Sequence, residues 1–194
     1  MRRFLSCLAV AVLMTIAGTS NTEAQGWSQR ATTLSDGLTD EVVRRLRRDF
    51  QECSALQNVY RYDCYSKSYR NAAIKLSGIP EYKPALDALR LVETRIDTVV
   101  DANLDPTRPA LQRAFRTHVA VTEAALPTLR RETLQAMEEA QTILLRSPST
   151  QQQAHFARIA AVIDSNKVLL RSALLHLRQE VTQFAGLVGF TRTR

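Results

Sequence analysis

The chain has 194 residues and a formal net charge of +7, from 26 lysines and arginines against 19 acids. Its 6 glycines are too few for a many-turned β fold, and no apolar run after the N-terminal segment is long enough to cross a bilayer. Length and composition leave room for one domain with a core of its own, built from long helices.

The chain begins MRRFLSCLAVAVLMTIAGTSNTEAQ. Arg2 and Arg3 form a positive n-region, and Phe4 to Ala17 is an apolar run too short for a comfortable span. Thr22-Glu23-Ala24 places small residues at the −3 and −1 positions of a cleavage site. Residues 1–24 therefore read as a secretory signal peptide, cut after Ala24 or, as the alternative, after Ser20. Loss of Arg2, Arg3 and Glu23 would take the charge from +7 to +6. The expected destination is the periplasm, with secretion as the alternative. Residues 25–38 are polar, contain Trp27, and read as a flexible leader.

The first helix is expected from an N-cap at Thr39, with Asp40 and Glu41 in its first turn. Val43, Leu46, Phe50 and Cys53 recur at spacings of three and four, with Arg44, Arg45, Arg47 and Arg48 on the other side. A second helix carries Tyr62, Tyr65, Tyr69, Ala72 and Leu76, and stops at Gly78 as C′ with Ile79 and Pro80 behind it. The third starts between Pro80 and Pro84 and carries Ala85, Leu89, Val92, Ile96 and Val99. The segment Asp105-Pro106-Thr107-Arg108-Pro109 ends it.

From Pro109 the spacing of Leu111, Phe115, His118 and Val119 predicts another helix, either kinked or restarted at Pro127. Its pattern runs on through Leu134, Met137 and Leu144. After Ser147-Pro148, Ser149 caps a last helix with the stripe Phe156, Ile159, Ile163, Asn166, Leu170, Leu174, Leu177, Val181 and Phe184. No strand is predicted anywhere.

After export only Cys53 and Cys64 remain. In one unbroken helix their Cα atoms would stand about 16 Å apart, far beyond the roughly 7 Å that a disulfide spans. A break at Gln57-Asn58 brings them face to face across a helical hairpin. A structural disulfide follows, in keeping with an oxidising destination. The neighbouring tyrosines are expected to pack beside it. A metal site lacks ligand spacing, and neither Cys-x-x-Cys nor a haem-attachment motif occurs.

No nucleophile motif, glycine-rich phosphate loop or zinc-helix histidine pair is present. His118, His155 and His176 read as surface or boundary histidines. Glu93, Asp97 and Asp101 share a helix face at i, i+4 and i+8, and read as a solvated face near Arg90 and Arg95. Asn166 either sets register in the last helix or lies on its boundary.

The expected fold is all-α: an elongated bundle of five or six helices, with long antiparallel coiled-coil-like C-terminal helices and an N-terminal hairpin pinned by Cys53–Cys64. One helical domain covers residues 39–190, and 191–194 form a basic tail. The expected function is a non-enzymatic envelope protein, an adaptor or structural element that meets another envelope protein through helix faces, with a homo-oligomer open. The alternative is a cationic binder of anionic lipid or cell-wall polymer through Arg44, Arg45, Arg47 and Arg48. A third reading is a ligand carrier or enzyme with an interior pocket, and it has no chemical constellation behind it. No catalytic residue, metal site, cofactor or nucleic-acid partner is expected.

Overall fold

A computed structural model of the chain describes residues 34–113, 115–146 and 149–188, with side chains described as far as Arg171. The expected signal peptide (1–24), the leader up to position 33 with Trp27, and the basic tail (191–194) lie outside the described residues. So do the side chains of Leu174, His176, Leu177, Val181 and Phe184.

Among the described residues there are five α-helices: α1 (Asp36–Ser54), α2 (Asn58–Leu76), α3 (Lys83–Asp101), α4 (Leu126–Leu145) and α5 (Thr150–Val188). Strands β1 (Leu111–Arg113) and β2 (Arg116–His118) form an antiparallel hairpin between α3 and α4. Each helix packs on the next in sequence, and α5 closes the ring by packing on α1. The core runs through all five, from Val42, Leu46 and Phe50 to Phe156, Ile159 and Ile163.

Helix α1 starts earlier than its sequence pattern predicts. Ser35, not Thr39, is the N-cap: its hydroxyl accepts from the Leu38 N–H at 3.2 Å, and Asp36 favours the positive end of the helix. Asp36 to Leu38 of the expected leader are thus the first turn. Thr39 is fully buried, its hydroxyl 2.6 Å from that of Tyr82 and 2.8 Å from His155 Nδ1. These contacts join the start of α1 to the starts of α3 and α5. At the same end Arg158 binds Asp36 at 2.6 Å and also reaches Asp40.

The corner between α1 and α2 falls at Ala55–Gln57. Ala55 ends α1 and Gln57 precedes α2, so the predicted break is present, with Asn58 just inside the second helix. Arg61 Nε closes the corner by donating to the Leu56 carbonyl at 2.7 Å. Cys53 and Cys64 are bonded, with Cα atoms 5.5 Å apart. The aromatic residues pack beside the bond as expected. Phe50 stacks on Tyr65 with ring centroids 4.1 Å apart, and Tyr62 meets Tyr65 edge-on at 5.8 Å.

Helix α2 is buried around most of its circumference, because α1, α3 and the hairpin cover it. It ends in a type II turn rather than the expected helix-terminating glycine motif. Ser77 has φ −64° and ψ 136°, Gly78 has φ 81°, and the Ile79 N–H donates to the Leu76 carbonyl at 3.3 Å. The third residue of that turn needs positive φ, which glycine adopts without strain. Pro80–Tyr82 then form a short 3₁₀ turn leading into α3.

The helix predicted from Pro109 is absent. Leu111 pairs with His118, Gln112 with Thr117 and Arg113 with Arg116. A bridge from Leu104 to Val121 brings the two ends of this connection together. The new helix then starts at Leu126 with Pro127 in its first turn, where a missing N–H costs nothing. Ser149 caps α5 as predicted, its hydroxyl accepting from the Gln152 N–H at 3.1 Å.

The disulfide closes a short loop in the unfolded chain, and chain entropy makes that worth about 3 kcal/mol. Replacing Cys53 and Cys64 together by serine is expected to lower unfolding free energy by about that amount. Helical circular dichroism should persist, since packing holds the helices. Denaturant titration of the double variant measures both.

Candidate functional site

Asp49 is an acid on the apolar side of α1, and it is 1% exposed. A buried carboxylate must be paired, because taking a charge out of water costs several kcal/mol. Three arginines serve it. Arg116 of β2 donates to it at 3.1 Å, while Arg45 and Arg48 of α1 stand at 3.6 and 3.8 Å. Three guanidinium groups around one carboxylate leave a surplus of two positive charges. Arg44, Arg47 and Arg48 are exposed and Arg45 is half-buried. Among the described residues Arg44 and Arg47 form no ion pair. The structure therefore brings two of the four predicted arginines, Arg45 and Arg48, beside a fifth, Arg116, which the sequence pattern had placed on a helix, while Arg44 and Arg47 stay on the exposed side of α1.

Asp63 of α2 is the second buried acid on this side. Its Oδ2 accepts from Lys67 Nζ at 2.7 Å and from the Val119 N–H at 3.3 Å, and it stands 3.1 Å from His118 Nδ1. His118 is 2% exposed, not the surface or boundary residue expected. Lys67 also donates to the Thr117 carbonyl at 2.7 Å, and Tyr60 to the Pro109 carbonyl at 2.9 Å. The Val121 N–H reaches the Val59 carbonyl at 2.9 Å. The hairpin is thus tied to α2 by five hydrogen-bonding contacts along its length and to α1 through Asp49.

The acidic face of α3 is not solvated as expected. Glu93 is 5% exposed and receives Arg70 of α2 at 2.6 Å and Arg90 at 2.9 Å. Asp97 receives Arg70 and the Ser66 hydroxyl. The hydrogen bond that Arg70 donates to Glu93, followed by the charge of Asp97, raises the pKa of Arg70. These carboxylates join α2 to α3, while Asp101 stays exposed. Among the described residues no three His, Cys, Asp or Glu side chains stand close enough to hold a metal ion.

Asn166 lies in the core at 2% exposure, and its amide nitrogen has no hydrogen-bond partner among the described residues. The same holds for the hydroxyls of Tyr69 and Thr133. Burial raises the Tyr69 phenol pKa, and the nearby Asn166 side chain partly offsets that. Cys53 and Cys64 serve the corner described above.

Sequence reasoning missed Asp49, Asp63, Arg116 and His118. Asp49 gave a signal: at 100° per residue it falls within about 60° of Leu46, on the arc that should be apolar. Comparison with protein-family models, with curated proteins and with solved structures finds no match to this chain.

Asp63→Ala would strand His118, Lys67 and the Val119 N–H together. The expected loss is about 3 kcal/mol of unfolding free energy, and Asp63→Asn, which keeps an acceptor, should lose clearly less. Urea titration of both variants checks this. An alanine variant within about 0.5 kcal/mol of wild type would show that the hairpin is not seated this way.

Proposed function

We propose that this chain is an exported, non-enzymatic protein of the cell envelope that works by binding an anionic partner. The contact surface is the arginine-rich side of α1, Arg44, Arg45, Arg47 and Arg48, joined by Arg116 of the hairpin where Arg45 and Arg48 meet it at Asp49. The observation that carries this reading is the cluster at Asp49, where one buried carboxylate orients three arginines and leaves their charge in excess. Positive charge held in place on a folded surface attracts and orients anions better than the same charge on a mobile tail. Export is supported by the signal-like N-terminal segment and by the Cys53–Cys64 bond, which is compatible with an oxidising compartment.

The adaptor reading has an observation of its own. A groove of about 610 Å³ lies between α3 and α4, lined by residues that include Arg90, Leu91, Arg95, Thr98 and Val99. A helix from a partner protein would suit such a groove. The coiled-coil-like extension of α5 beyond α4, and a homo-oligomer built on it, belong to this second reading.

The two separate in a salt series. Wild type is expected to co-sediment with an anionic polymer or anionic vesicles at low salt, and to release as the ionic strength rises through 0.15 M and above. Changing Arg44, Arg47 and Arg48 to glutamine removes exposed charge and spares the Asp49–Arg116 contact. That triple variant should bind at least tenfold more weakly, at roughly 1 kcal/mol per arginine. Equal binding by the two proteins, or none by either at low salt, would move the function to the α3–α4 groove.

A further inference from the structure

Phe115 stands at the turn of the β1–β2 hairpin with 105% relative exposure. The other large apolar residues at the described surface, such as Ile74, Leu104 and Val168, are 42–57% exposed. Single exposed apolar residues are ordinary, but a whole phenyl ring held away from the protein is not. Arg113 and Arg116 lie within two residues of Phe115 in the sequence, and Pro109 to Thr122 contains no acid. The carboxylates that hold the hairpin, Asp49 and Asp63, are buried. The projection is also firmly seated, through Arg116–Asp49, His118–Asp63, Lys67–Thr117 and Tyr60–Pro109.

We propose that the hairpin is a wedge for an anionic lipid bilayer. The Phe115 ring enters the boundary between headgroups and acyl chains, while the exposed Arg113 meets the lipid phosphates and Arg116 holds the hairpin on Asp49. This rests on the anionic-partner reading above and names its source. The shape favours lipid over protein: a lone aromatic on a convex tip needs a partner that yields around it, and a fluid interface does so without a preformed pocket. Aromatic rings partition to that boundary, and arginines beside them add attraction to anionic headgroups. Arg45 and Arg48 of α1 lie next to the hairpin through the shared Asp49, so the same approach brings them over the membrane surface. No described helix is long and apolar enough to cross a membrane.

The test uses the full chain with vesicles of phosphatidylcholine alone and with phosphatidylglycerol added. Wild type should bind only the anionic vesicles. Phe115→Ala should partition roughly 30-fold more weakly, the ratio expected from loss of a buried ring, with unchanged thermal stability because the ring touches little. Phe115→Trp should retain binding, and its added indole fluorescence should shift to the blue and be quenched by brominated acyl chains. Phe115→Ala binding as well as wild type would overturn the wedge while sparing the arginine surface. Binding to an anionic cell-wall polymer without binding to anionic vesicles would overturn it too, again leaving the electrostatic reading standing. If wild type binds neither, both fail.

Discussion

The bond between Cys53 and Cys64 fixes the angle at which α1 leaves and α2 returns, and with it the direction of two buried acids. Asp49 lies one turn before Cys53, and Asp63 immediately precedes Cys64. With the corner closed, both carboxylates face the side of the bundle where the α3–α4 connection passes. Neither can be left there unpaired, because a lone buried charge costs more than most single interactions supply. Arginine, lysine, histidine and backbone N–H groups pair with them, several of those from the hairpin, although Asp49 Oδ1 accepts no hydrogen bond and is neutralised only by the nearby arginine charge.

This explains why Leu111–Arg113 and Arg116–His118 form strands against their local preference. LQRAFRTH contains no Asn-Gly or Asp-Gly turn, and its apolar spacing suits a helix. As a helix it would aim Arg116 and His118 a fraction of a turn apart on one rod. As a short ribbon it sends Arg116 to α1 and His118 to α2, and uses the Pro109 and Thr117 carbonyls as further acceptors. Local propensity amounts to a few tenths of a kcal/mol per residue, so charge pairing of two buried carboxylates outweighs it.

The helices themselves were readable because each leaves a period of three and four and a punctuation mark at its end. Gly78 with Pro80, Pro127, and Ser149 mark three of those ends correctly. The disulfide was readable from helix geometry, the break at Gln57-Asn58 and the even cysteine count left by the expected export. What stayed hidden depends on distant partners. Glu93 and Asp97 look like any exposed acidic face until Arg70 arrives from α2. Thr39 resembles an N-cap until Tyr82 and His155 enclose it. The basic face of α1 was visible as a run of arginines, but its junction with Arg116 and Phe115 was not, since both sat on a helix in the sequence pattern.

Binding at this junction would need little rearrangement, because the cationic groups and the aromatic tip already share one seat. That seat depends on the corner, which links a covalent bond in α1 and α2 to the order of a hairpin some fifty residues further along. Amide hydrogen exchange, read by mass spectrometry on the oxidised and the reduced protein, measures that link directly. The account predicts that reducing Cys53–Cys64 speeds exchange at residues 52–66 and also at 108–121, while the α3–α4 interface keeps its protection. Faster exchange at the corner with the hairpin unchanged would contradict it.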